Sequence, residues 1–320
     1  MSVNRQQRIE ETPAEASITR SEIWFTDGNI VIEAERAQFR VHRGVLAKQS
    51  DVFKGLFDIP TPRGDPTVEG CPIVQVSDTA QDWEHLLNVL YNWIAYSSGA
   101  LPVPILSAMI RLGHKYDLLL VLKEAVSRVE FEFPSSRTAF FESSNWTMIN
   151  IDEDFEILEL LLVARECKLY RALPGVYLKL ARMFNFEKLL GGFPRRDGSL
   201  LKLPQEEKLL WMVGLSRLRE ATMEHTFQWL KHIPYGGCVG GRGQACSTTA
   251  KLIYFSVFVD KRPDDLTPGF MGWPDKSAKD MCQPCRVAAK REHEEGRDKL
   301  WEALPSFFDL QAWSDLRNFD

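Results

Sequence analysis

The stretch that most constrains this chain is Asp27 to Phe57, DGNIVIEAERAQFRVHRGVLAKQSDVFKGLF. It opens on a turn pair, Asp27-Gly28, and enters Ile30, Val31 and Ile32, a β-branched run that predicts a strand. After Glu33–Gln38 a second extended piece puts Phe39 and Val41 on one face, with Arg40 and His42 on the other. The period then changes to that of a helix. Val45, Leu46, Gln49 and Phe53 share one helical face, and Val52, Leu56 and Phe57 extend it. A β-hairpin that feeds a helix pair and buries one apolar layer accounts for all of these positions.

Within the stretch, Phe39 stands two residues ahead of Val41-His42-Arg43. Val45-Leu46-Ala47, Ser50 and Phe53 follow in fixed register. This pattern resembles the signature of the BTB/POZ interaction domain, an aromatic, then Val/Ala-His-Lys/Arg, then x-Val-Leu-Ala-x-x-Ser-x-x-Phe. A later segment, Gly113, Lys115, Tyr116 and Leu118, is similar to a second family motif, so the resemblance runs from about Ser21 to Phe131. It implies a small sheet capped by helical hairpins and a role in binding other proteins. It also implies homodimerisation and, in many members, recruitment of a cullin-type ubiquitin ligase or of transcriptional co-regulators. Transcription-factor members pair an Asp of the first strand with the basic residue after the His. Arg43 fills the basic position here, whereas the acidic one falls on Asn29 by ungapped counting or on Asp27 two residues earlier. The family's His belongs to the hydrogen-bonded core, which removes His42 from the candidate bases.

Length and composition suit two domains and a small third module, since 320 residues exceed one compact interaction domain. Nine Trp and nineteen Phe supply ample core. A net charge of −5 argues against a surface built for phosphate contacts, so nucleic acid is not an expected partner. The longest apolar runs, Leu118–Leu122 and Leu160–Ala164, fall far short of a membrane span, and the first twenty residues hold no apolar signal core. The expected setting is intracellular, cytoplasm or nucleus, where six Cys serve as free thiols or metal ligands more often than as disulfides.

Taken in order, residues 1–20 read as a polar, disordered leader and 21–131 as the BTB/POZ domain. A linker covers 132–151, a helical domain 152–234, and a Cys-rich segment with an aromatic tail 235–320. The expected class is therefore α+β, a BTB/POZ fold followed by a mainly α-helical domain with a Cys-bearing C-terminal module. Trp83, Leu86, Leu87, Leu90 and Tyr91 recur at helical spacing after Asp82. Asp152-Glu153-Asp154 places carboxylates where a helix start favours them, and Pro174 and Pro204 stand where a first turn tolerates proline. Met223, Phe227 and Leu230 predict one further helix ending before Pro234. Lys251–Phe258 reads as a strand or a buried helix turn.

The run PYGGCVGGRGQACS leaves seven residues between Cys238 and Cys246, and Cys282-Gln283-Pro284-Cys285 completes a set of four. A Cys-x2-Cys knuckle turns two thiolates toward one ion, and a second pair can finish a tetrahedral site. Cys238, Cys246, Cys282 and Cys285 are thus candidate ligands of a structural zinc, with His293 as alternate. Reduced, unpaired thiols and a redox Cys-x2-Cys are the competing readings. The tail packs Trp301, Leu304, Phe307, Phe308, Leu310, Trp313 and Leu316 into an apolar hook expected to dock on the helical domain. This Trp-rich end resembles the uncharacterised BTB proteins of mushroom-forming fungi.

No catalytic constellation emerges. Gly236-Gly237 and Gly240-Gly241-x-Gly243 lack the Gly-Lys-Ser/Thr ending that cradles phosphate. Two function classes remain. One is a non-enzymatic adaptor, which oligomerises through its BTB part and recruits partners. The other is a BTB-type transcriptional regulator that binds nucleic acid through zinc. Tandem His-x3–5-His fingers would favour the second, and the sequence has none.

Overall fold

The structure, a computed structural model, describes residues 18–60, 64–142, 146–195, 198–239, 243–259 and 266–320. Most of the leader read over residues 1–20 lies outside them. Its end does not, because strand β1 (Thr19–Trp24) is already formed there. β1 runs parallel to β3 (Ala37–Val41), which closes an antiparallel hairpin with β2 (Ile30–Ala34). The register sets Ile30 against Val41 and Ala34 against Ala37. β4 (Thr67–Val68) and β5 (Cys71–Val76) complete a five-stranded sheet in the order β1-β3-β2-β5-β4. The sequence concealed β1 because its residues are mostly polar and half-exposed. Backbone pairing and the Arg20–Glu69 and Arg40–Glu69 ion pairs hold it in place of apolar alternation.

Helices α1 (Arg43–Gln49) and α2 (Asp51–Asp58) follow the hairpin as its periodicity predicts. α3 (Ala80–Tyr91), α4 (Trp93–Tyr96), α5 (Val103–Lys115) and α6 (Leu119–Glu132) pack beneath the sheet. Thr79 caps α3 by accepting from the Asp82 N–H at 3.0 Å. Gly113 lets α6 approach α5, since a Cβ there would sit 3.2 Å from that of Leu122.

The stretch read as a linker is structured over its described residues. It carries α7 (Arg137–Glu142) and β7 (Ile149–Asn150), which pairs with β6 (Leu101–Pro102). Phe140 is buried against Trp301 at 5.2 Å, so aromatic side chains anchor what polar composition had marked as a connector. The buried Arg128 of α6 ties the same region together. Its guanidinium meets Glu124 at 2.7 Å and the carbonyls of Gly99, Met148 and Tyr96 at 2.6, 3.3 and 3.2 Å.

Beyond it lie α8 (Asp154–Glu166), α9 (Leu173–Met183), α10 (Phe186–Gly191) and the small β8–β9 hairpin (Phe193–Pro194, Leu200–Leu201). A capping box between Glu153 and Glu156 starts α8. α11 (Gln205–Glu224) begins directly after Pro204. The helix expected over Met223–Leu230 is instead the end of α11, a turn, and the short α12 (Trp229–His232). Lys251–Phe258 is the second half of α13 (Gln244–Phe258) and not a strand. Its buried residues, Cys246, Ala250, Ile253 and Val257, recur at helical spacing, while Leu252 and Phe255 face outward. α14 (Gln283–Phe307) is the longest element described.

One apolar core extends from Ile30 of the sheet through α5 and α8 to Phe308. A second gathers Phe227, Trp229, Ile253, Trp273 and Met281 around the cysteines. The tail joins the first core. Phe308 stacks on Tyr177 at 4.4 Å, Trp313 stacks on Trp301 at 5.3 Å, and Phe319 reaches His114 of α5 at 4.8 Å. It thus binds the helical body and also touches the sheet-bearing half.

Candidate functional site

The signature residues are mostly architecture. Phe39, Val41, Leu46 and Phe53 are buried in the main core. Phe53 stacks on Tyr116 at 4.9 Å and meets Trp83 edge-on at 5.9 Å. Ser50 accepts the Phe53 N–H at 3.0 Å and donates its hydroxyl to the Tyr116 carbonyl, joining α2 to the end of α5. The Tyr116 hydroxyl and Lys115 in turn donate to Asp78. Burial opposes ionisation of Asp78, but those two hydrogen bonds hold its carboxyl below the ordinary carboxylate value. Val45 and Ala47 are half-buried on α1.

His42 precedes α1, with its ring between the Tyr91 hydroxyl, 3.0 Å from Nδ1, and Asp27, 3.2 Å from Nε2. Its backbone N–H also donates to the Tyr91 hydroxyl. The acid–Arg43 pair expected of transcription-factor members is not made within the chain. Asp27 meets His42 instead, and Asn29 accepts the backbone N–H of Arg43 at 2.8 Å. The Arg43 guanidinium donates to the Phe57 carbonyl at 2.6 Å and lies over the Phe57 ring at 5.0 Å.

Val52 and Leu56 do not extend the buried face as their spacing suggested. They are 46% and 40% exposed, and Ile59 just beyond is 65% exposed. Leu56 and Ile59 border a cleft of 160 Å³ formed with Ile30, Phe57, Pro60 and Ile73. The two turns of α2 carry an inward face with Phe53 and an outward face with Val52 and Leu56, and single-residue hydropathy does not distinguish them.

Residues 19–123 match the family model of the BTB/POZ domain. The chain therefore carries a BTB domain, a protein–protein interaction module, over about a third of its length. The match includes all of β1, whose first two residues composition had assigned to the leader, and stops inside α6. No curated protein matches the chain, and none supports the expected likeness to BTB proteins of mushroom-forming fungi. Among the described residues no helix is long and apolar enough to cross a membrane.

The second assembly is the cysteine cluster, far from the BTB sheet in sequence. Cys246 lies in the first turn of α13, Cys282 caps α14, and Cys285 lies in the first turn of α14. Cys238 follows a turn in which Gly237 takes a positive φ of 81°. Gly243, also at positive φ, packs so close to Pro234 that a Cβ would lie 2.6 Å from its Cγ. The Gly-rich run between the first two cysteines thus contributes conformations that other residues resist; Gly240, Gly241 and Arg242 fall outside the described residues.

All four sulfur atoms lie within 4.8 Å of one another, and none is in a disulfide. Cys238 Sγ is 3.7 Å from Cys246 Sγ and 3.7 Å from Cys282 Sγ. A tetrahedral ion with metal–sulfur bonds of about 2.3 Å separates its ligands by about 3.8 Å, whereas a disulfide needs about 2.05 Å. The Cys282 backbone N–H donates to Cys246 Sγ at 3.3 Å, the kind of contact that favours a thiolate. Burial raises the Cys282 thiol, but the N–H groups of Cys285 and Val239 outweigh it and bring it down to about 6. Burial pushes Cys285 up to about 12 and also raises Cys246. A cation would reverse that burial penalty at Cys246, Cys282 and Cys285.

His293 is not part of the cluster. It is buried on α14 with Nε2 3.0 Å from the Met271 carbonyl, and burial lowers its pKa. Cys71 and Cys167 are buried elsewhere, as single thiols.

If the signature serves the fold more than a partner, Ser50→Ala removes both a helix cap and a buried hydrogen bond. It is expected to destabilise the protein by about 2 kcal/mol, read as a shifted urea midpoint with unchanged slope. A midpoint equal to that of the unaltered chain would contradict the structural role.

Proposed function

We propose that the protein is a non-enzymatic adaptor. The BTB domain pairs with a second copy and recruits a protein partner, such as a cullin-type ubiquitin ligase, while the helical, cysteine-bearing remainder holds a target. The observation that carries this reading is the outward apolar ridge of Val52, Leu56 and Ile59 beside its cleft, set within a BTB domain. Water-facing Val, Leu and Ile side chains aligned along one face of α2 favour covering by another chain. A net charge of −5 weighs against the nucleic-acid-binding alternative. The intracellular setting fits four reduced cysteines arranged for a metal. Division into a BTB unit, a helical unit and a Cys-bearing unit follows the two apolar cores only in part, since the first two share one.

The same reading places one zinc ion among Cys238, Cys246, Cys282 and Cys285. Four thiolates would leave no open position, so the ion would fix the starts of α13 and α14 and perform no chemistry.

Sedimentation tests the assembly. The expected mass is twice 36.7 kDa at micromolar concentration, and Leu56→Asp combined with Val52→Asp should weaken pairing by at least about tenfold. A 36.7 kDa species for the unaltered chain would contradict it. Elemental analysis tests the metal. About one zinc per chain is expected, lost together with helical signal in the Cys282→Ser/Cys285→Ser variant. Protein purified without chelators that carries no zinc and takes none up would exclude the site.

A further inference from the structure

A cleft of 470 Å³ opens where α3 and α5 of the BTB domain face α8 and Arg195. Its size is that of sites for small molecules, well beyond a single water. Two polar atoms in its wall are buried and lack any hydrogen-bond partner, His85 Nε2 and Ser107 Oγ. Ser107 is only 4% exposed, so bulk water does not satisfy its hydroxyl and an occupant of the cleft could.

The charges around these two atoms come in matched pairs. Arg195 holds Glu159 Oε1 through Nη2 at 2.7 Å and through Nε at 3.1 Å. Arg111 lies 3.6 Å from Asp82 and 2.8 Å from Glu166. The lining therefore carries two guanidiniums and two carboxylates, and it sums to zero with a neutral His85, whose pKa burial lowers. Thr79 and Pro104 put the starts of α3 and α5 at the rim, where helix dipoles favour negative charge. Phe155 and Leu162 of α8 supply an apolar wall opposite.

A dianion would meet Asp82 and Glu159, and a simple cation would meet both arginines. A molecule carrying one charge of each sign and an apolar body meets a partner at every wall. We propose that this cleft binds a small zwitterion, the chemistry of a free amino acid with an apolar side chain. Its carboxylate lies against Ser107 and the helix starts, its ammonium against the carboxylate pair, and its body against Phe155 and Leu162. Because the walls come from both halves of the chain, occupancy would also tie the BTB domain to α8.

Titration calorimetry of the full chain with leucine at millimolar concentration tests this, beside N-acetyl-leucine, leucinamide, glycerol and inorganic phosphate. Leucine should bind, and each capped form should bind at least about tenfold more weakly because one wall loses its partner. Ser107→Ala, a small change that removes an orphaned hydroxyl without straining the helix, should weaken leucine by a similar factor. Circular dichroism would confirm that this variant is folded. Absence of leucine binding, equal or tighter binding of a capped form, glycerol or phosphate, or unchanged binding by folded Ser107→Ala would each overturn the proposal.

Discussion

The burial of α5 from several sides is the constraint on which the rest of the molecule depends. Val103, Leu106, Met109, Ile110 and Leu112 are inaccessible to water, and the helix packs on α3, α6 and α8 together. Interiors at this density transmit displacement and do not absorb it. The sheet, the helices that cap it and the first helices of the following region therefore share one wall. Leucine-sized deletions in such a helix cost about 2–5 kcal/mol, a large share of an ordinary domain's stability.

A second rigid link runs through α14. It starts at Cys282 and Cys285 and ends with Trp301, Leu304 and Phe307 inside the main core. At 1.5 Å per residue its 25 residues span about 37 Å, so whatever fixes its first turn is felt at its last. Gly296 marks its closest approach to another segment, since a Cβ there would lie 2.3 Å from the His225 carbonyl oxygen. The second core and the thiol cluster form around the same helix, so a metal held there would be coupled to helix position.

How much of this was legible depended on the kind of signal each part carries. The hairpin and helix pair could be read because Phe39, Val41, Leu46 and Phe53 are both patterned and buried, so periodicity and packing say the same thing. The four cysteines were legible as a candidate set, and the structure brings their sulfur atoms within 4.8 Å of one another. Their meeting depends on the starts of α13 and α14 converging, which no spacing encodes. β1 escaped because its strand is held by backbone pairing and charge. The second half of α13 was left between strand and helix because Ile253, Tyr254, Phe255 and Val257 are strand formers by composition, and tertiary packing of Ile253 and Val257 decided for the helix. The cleft around Ser107 was invisible, since its walls lie on α3, α5, α8 and the Arg195 turn, and none of its residues forms a local motif.

Hydrogen exchange followed by mass spectrometry along a denaturant series tests the shared wall most directly. If α5 joins the two regions into one unit, amides of α3, α5 and α8 lose protection together, at the midpoint of global unfolding. Loss of protection in α8 and α9 at clearly lower denaturant, with α3 and α5 still closed, would mean that the regions fold separately and that the account is wrong.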